Sequence, residues 1–191
     1  MDFKEYYENH TLEYAKGAGM VHPDILDTFL GFIRARGVIL DLGCGIGQDV
    51  DYFCKKSFRA IGIDESKNMI KYARAHHKGA FLVGDFLDIS GEEALDAVWT
   101  ASSVFTHLKK NGRKRVLNNL YRLLVDDGVL GVIARKKTKR RKGFYSYDKK
   151  DLVKEIESAG FSCKHSSFFL QRSTEWIFCV FTKNKNTKYQ G

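Results

Sequence analysis

Short apolar runs recur along the chain at Val38–Leu42, Phe58–Ile63, Ala80–Val83, Leu95–Thr100, Gly128–Ala134, Ser162–Leu170 and Trp176–Thr182. Each has strand length and lies between turn-forming or charged residues. Helical spacing of apolar positions separates the first five, over Val50–Lys56, Lys67–His77 and Arg113–Leu124. After the fifth comes Lys149–Ala159, stopped by Gly160 where a helix-ending glycine is expected. Strands alternating with helices predict a parallel sheet covered on both faces. The last two runs are separated by little more than "QRST", too short for a parallel crossover, so they predict an antiparallel hairpin at a sheet edge. Ahead of the first strand, "DFKEYYENHTLEYAKG" and "HPDILDTFLGFI" read as helices, the second with Pro23 in its first turn. No linker divides the chain. The pattern predicts one α/β domain over 1–191, with a helical extension at 1–36, a core at 37–184 and a frayed tail at 185–191.

Composition changes this picture little. Hydrophobic residues make up 43% and charged residues 29%, as in ordinary soluble domains. "MDFKEYYENH" lacks the apolar segment of a signal peptide, and Val129–Ala134 is too short to span a bilayer. A cytoplasmic protein without a membrane partner is expected. Cys44, Cys54, Cys163 and Cys179 show no C-x-x-C spacing, so reduced, packed thiols are expected and a metal site is not.

Charge is more informative. Lys and Arg exceed Asp and Glu by 32 − 23 = 9, and "RKKTKRRK" (135–142) alone holds seven basic residues. A second run, "KKNGRKR" (109–115), holds five. Where these runs lie therefore matters more than the total.

The stretch "VILDLGCGIGQDVDYF" (38–53) carries the chemistry. A strand, a glycine turn and a helix expose backbone to a ligand that side chains would block. The spacing is G-x-G-x-G, with Gln48 where a dinucleotide fingerprint has its third glycine. Asp41 and Asp49 flank the loop, and two carboxylates there would repel a pyrophosphate. They suit an ammonium and a sulfonium instead. Asp64 ends the next strand, where a carboxylate can accept both hydroxyls of a ribose. Asp85 follows the third strand and could accept from an exocyclic amine, with Phe86 beside the ring. One such Asp alone is commonly a helix cap; three at consecutive strand ends describe S-adenosylmethionine.

These residues resemble the class I S-adenosylmethionine-dependent methyltransferases. The segments "ILDLGCGIGQD" (39–49), "IGIDESKNMI" (61–70), "VGDFLD" (83–88), "LDAVWTASSVFTHL" (95–108), "LNNLYRLLVDDGVLGVIAR" (117–135) and "DLVKEIESAGF" (151–161) match in order and spacing. The resemblance implies a Rossmann-like α/β sandwich whose seven-stranded sheet has the order 3-2-1-4-5-7-6, with the seventh strand antiparallel. It implies that Asp41, Gly43, Gly45 and Gly47 line the methionine end of the cofactor, that Asp64 holds the ribose, and that Asp85 and Phe86 hold the adenine. Cys44, Glu65 and Ser102 lie within the matching segments and join the candidate cofactor contacts. Tyr7 and Tyr14, with Tyr6, fall on a segment that relatives use as a lid, although plain packing explains their spacing equally well. "LVDDGVL" departs from the family in its turn, where many members have Pro-Gly or Gly-Gly.

The acceptor belongs at the end of the fourth strand, along "TASSVFTHL". His107 there is the candidate base, or a histidine that caps or packs a helix. Phe144, Tyr145 and Tyr147 follow the fifth strand and predict an aromatic wall over the acceptor. The sequence lacks the Pro-Pro-aromatic segment of base-amine methyltransferases, an acid in "TASS" for a metal, and a cysteine placed to attack a pyrimidine. An N-, O- or S-methyltransferase of a small metabolite remains, and an anionic metabolite would suit the basic runs. RNA tracked by 109–115 and 135–142 is the alternative, and a non-catalytic cofactor-binding module is a further one. The acceptor and the oligomeric state are not specified by the sequence.

Overall fold

The computed structural model describes residues 3–17, 22–89, 94–137 and 144–185. Seven strands in them pair into one sheet: β1 (Val38–Leu42), β2 (Arg59–Asp64), β3 (Ala80–Val83), β4 (Leu95–Ala101), β5 (Leu124–Arg135), β6 (Phe161–Gln171) and β7 (Thr174–Lys183). Their order is β3-β2-β1-β4-β5-β7-β6, as the resemblance implies. The first five are mutually parallel, and β7 runs antiparallel to both β5 and β6. The hairpin turns on Arg172 and Ser173, both at positive φ, the two-residue geometry whose twist matches paired strands.

Eight helices are described: α1 (Phe3–Asn9), α2 (Thr11–Gly17), α3 (Pro23–Leu30), α4 (Gln48–Lys55), α5 (Lys67–His76), α6 (Val104–His107), α7 (Lys110–Leu123) and α8 (Lys149–Glu157). Side-chain alternation along the strands divides the core between two faces. On one face Leu40, Leu42, Val98 and Leu130 pack with Val116 and Leu120 of α7 and Leu152 and Ile156 of α8. On the other, Ile39, Trp99 and Ile133 pack with Phe29 of α3, Phe53 of α4 and Ile70 of α5. Asp41 shares its strand face with Ile39 and is buried beneath the glycine loop.

The sequence pattern needs correcting in two places. The first N-terminal helix is two, α1 and α2, interrupted at His10, whose ring Nδ1 donates to the Tyr6 carbonyl one turn back at 2.8 Å. β5 begins earlier than its apolar run: Leu124 pairs with Leu95, and after an irregularity Val129 resumes opposite Ala97. His107, read as a base or as a histidine that caps or packs a helix, is the last residue of the short helix α6. The tail beyond residue 185 and the basic residues of 138–142 lie outside the described residues. Among the described residues, no helix is long and apolar enough to cross a membrane.

Candidate active site

Two cavities open along the carboxyl ends of the parallel strands, where open α/β sheets place ligands. The first has a volume of about 300 Å³ and is floored by Gly43, Gly45, Asp64, Glu65 and Phe86. The second, about 600 Å³, lies toward β5 and β7 and is lined by Asp49, Trp99, Arg135, Phe144, Phe169 and Trp176, among others. Tyr7, Tyr14, Ala101, Ser102 and His107 border both. The two spaces therefore meet across a wall made by α1, α2 and the end of β4.

The glycine loop is held from beneath. Asp64 accepts from the Gly45 amide through one oxygen (3.0 Å) and from the Ser66 amide through the other (2.9 Å). Ser66 caps α5, accepting from the Met69 amide at 3.1 Å. So the acid at the end of β2 fixes both the loop after β1 and the start of the next helix while facing the first cavity. Ser103 donates to the Leu42 carbonyl at 2.7 Å and ties the end of β4 to β1. Ser102 sits beside it at positive φ, with its hydroxyl 3.4 Å from that of Thr106.

The other sequence candidates are less directly placed. Asp41, Cys44 and Gly47 lie behind the loop and do not line the first cavity. Cys44 packs against Gly62, and burial raises its thiol pKa well above the ordinary value. Asp85 is exposed and lines neither cavity; it accepts from the Leu87 amide and caps the turn that begins at Phe86.

Acidity is concentrated here. Burial, then the nearby Asp49 and Asp64, push Asp41 well above the usual carboxylate range. Burial also raises Asp49, although Trp99 donates to it at 2.8 Å, and it raises Asp64 against the pull of its amide donors. A cation held near this trio would relieve both the mutual repulsion and the cost of burying charge. Glu65 rises to about 7, through burial first and then the adjoining Asp85.

His107 stands between the cavities. Its ring lies 3.9 Å from that of Phe3 and 5.7 Å from that of Phe144, and Nε2 is 3.4 Å from the Tyr7 hydroxyl. Burial pulls its pKa down to about 4.

Several features have no plain sequence signal. Glu8 accepts from the Ser66 hydroxyl (2.6 Å) and the Asn68 amide (3.2 Å), fastening α1 to the start of α5. Met69 and Phe3 complete the first cavity. Of the three aromatics after β5, Phe144 alone faces the second cavity; Tyr147 is buried and donates to the Phe105 carbonyl, and Tyr145 lies against the Arg113 guanidinium. Arg113 is itself buried and paired with Glu155 at 2.6 Å, and Arg115 pairs with Asp88. The run 109–115 thus offers less free positive charge than its composition indicates. From the second run, Lys136 pairs with Glu175 while Arg135 reaches the cavity.

Comparison with known proteins agrees with this geometry. A methyltransferase-domain family model matches residues 39–128. Juvenile hormone acid O-methyltransferase of Bombyx mori is 32% identical over 97 residues, covering 47% of this chain and only 35% of that protein. Magnesium protoporphyrin IX methyltransferase (ChlM) of Synechocystis PCC 6803, solved with bound SAH, superposes with a TM-score of 0.77 at 15% identity over 95% of this chain and 98% of its own. The [4+2]-cyclase SpnF superposes with a TM-score of 0.80 at 15% identity over 96% of each chain. Taken with the strand order, these matches give residues 39–128 the pattern of a methyltransferase domain and the whole sheet the fold of methyltransferase structures, and they support a class I S-adenosylmethionine-dependent methyltransferase.

Proposed function

We propose that the protein transfers the methyl group of S-adenosylmethionine to an N, O or S atom of a small metabolite. The observation that carries this reading is the pair of cavities meeting at one wall, with the glycine loop and Asp64 in one and an aromatic-lined space in the other. In-line displacement at a sulfonium needs the nucleophile aligned and water excluded more than it needs acid–base help. The first cavity would hold the cofactor: Asp64 and Glu65 would face the ribose and Phe86 the adenine, while the charge of Asp49 and of buried Asp41 would favour the ammonium. Asp41 acts there through its field. Ser102 and His107, which border both cavities, would stand between the methyl donor and the acceptor.

His107 is the candidate base. Burial keeps it neutral above pH about 4, the form that can take a proton. Its weak basicity suits an acceptor whose proton becomes acidic only as the new bond forms. The folded value lies below the ordinary 6.5, so the unfolded chain binds the extra proton first. The contribution of His107 to stability is therefore full above pH 6.5 and declines as pH falls from 6.5 toward 4. In the base role, His107→Ala lowers the turnover number about 10²- to 10⁴-fold, measured at saturating cofactor. An unchanged turnover number removes the role.

The paired helices α1 and α2 form a lid over the cofactor, secured through Glu8. Hydrogen bonding from Ser66 holds the Glu8 carboxyl below the usual range, so the tie is complete above the ordinary 4.5 and loosens as pH falls through the folded value. Glu8→Ala is expected to speed dissociation of S-adenosylhomocysteine several-fold with little change in melting temperature, as stopped-flow displacement would show. An unchanged dissociation rate argues that the lid is held elsewhere.

Methyl-labelled S-adenosylmethionine incubated with the protein and deproteinised cell extract tests the whole reading. Label in small solutes supports it. Label in a large fraction that disappears after ribonuclease favours RNA, and no label at all favours a binding module.

A further inference from the structure

Three buried side-chain atoms among the described residues have no hydrogen-bond partner: His107 Nδ1, His22 Nε2 and Trp176 Nε1. All three residues line the second cavity. A buried N–H without an acceptor is costly in a folded protein, and such groups persist where binding completes them. His107 belongs to the wall shared with the first cavity. His22 and Trp176 belong to a different part of the lining.

That part is a row across the sheet edge. Arg135 of β5 pairs in register with Trp176 of β7, and Trp176 pairs with Phe169 of β6. The Arg135 guanidinium lies 5.7 Å from the Trp176 ring centre and donates to the Thr174 hydroxyl at 3.2 Å. The His22 ring meets Phe169 edge-on at 5.1 Å. His22, Phe169, Trp176 and Arg135 therefore form one continuous surface. Its apolar part is flat and aromatic; its polar part is an indole N–H, which can only donate, a guanidinium, which can only donate and is always charged, and the His22 Nε2, which donates in one tautomer and accepts in the other.

Donor-only groups with a positive charge select an anionic acceptor of hydrogen bonds, and a planar carboxylate matches the guanidinium plane. A doubly charged phosphate fits less well. Arg135 is the cation within the row, Arg172 stands exposed at the edge, and the cavity also contains the acid Asp49.

We infer that the second cavity takes an acceptor with a flat apolar body and a carboxylate, seated on Trp176 Nε1–H and the Arg135 guanidinium. This rests on the reading of that cavity as the acceptor side. The row spans β5, β7 and β6, whereas the wall shared with the cofactor lies at the end of β4. The carboxylate is thus the handle by which the acceptor is held, and the atom to be methylated is the one that reaches Ser102 and His107.

The test uses the full chain saturated with S-adenosylhomocysteine and titrated calorimetrically with 2-naphthoate, 2-naphthamide and 2-naphthyl phosphate. Naphthoate is expected to bind about 10- to 100-fold more tightly than the amide, the range of a charge-assisted contact. Arg135→Gln and Trp176→Phe are each expected to narrow that gap while leaving affinity for S-adenosylhomocysteine unchanged, which shows that the fold persists. Equal binding of acid and amide, a gap that survives both substitutions, tighter binding of the phosphate, or no binding of any naphthalene would each overturn the inference. Failure of the wild-type chain to bind S-adenosylhomocysteine would instead overturn the cofactor reading beneath it.

Discussion

Gly47→Ala is expected to destabilise the protein by about 2–5 kcal/mol without the residue touching any ligand. Gly47 has φ +87°, and a Cβ there would stand 2.6 Å from the Phe81 ring and 2.9 Å from the Ala73 methyl. Left-handed backbone costs a side chain about 1–2 kcal/mol, and overpacking a tight core adds about 1–3 kcal/mol. Both Phe81 and Ala73 are buried, so neither can yield without disturbing α5 or β3. The matching fall in melting temperature is about 4–20 °C for a chain of this size, readable by calorimetry. Gly45→Ala makes the contrast. Its Cβ would meet only Tyr14, at 3.8 Å, so strain is nearly the whole cost and the damage falls on cofactor affinity. Similar melting losses for the two variants would contradict this division.

Asp64→Ala is expected to weaken binding of S-adenosylhomocysteine about 10- to 100-fold, since hydrogen bonds to a charged group contribute about 1.5–3 kcal/mol each. Two effects combine in that figure. The ribose loses its acceptor, and the Gly45 and Ser66 amides lose the oxygens that fix the loop and the α5 cap. Asp64→Asn separates them, because its amide oxygen can still accept from one of the two backbone donors. Calorimetric titration of the three proteins is the measurement. Wild-type affinity in Asp64→Ala would sink the proposed ribose contact.

Strands, helices and the edge hairpin were legible because they rest on local periodicity and turn length. "QRST" leaves room only for an antiparallel return, and the structure turns on Arg172 and Ser173. The glycine loop was legible for a similar reason, since few sequences place glycines at every second position between a strand and a helix. The roles of its members were not. From sequence, Gly43, Gly45 and Gly47 read alike as ligand-facing, yet Gly47 turns its back to the cavity and onto Phe81. Likewise Phe144 and Tyr147 read as one aromatic wall, and strand pairing and helix packing sent Tyr147 into the core.

Charge was the least transferable signal. Arg113 counted as part of a basic track, but its guanidinium is buried on Glu155 of α8, a partner distant in sequence. Arg135 counted the same way and instead enters the second cavity beside Trp176.

The amino-acid sequence by itself determined the order of elements, the alternation of strand and helix, and the acids at successive strand ends, because each depends on neighbours within a few residues. Tertiary structure alone decided what lines the two cavities. His22, Arg135, Phe169 and Trp176 become one surface only when β5, β7 and β6 take their register and α3 packs beside them. No local pattern encodes that row, because its spacing is set by hydrogen bonds between strands and not along them.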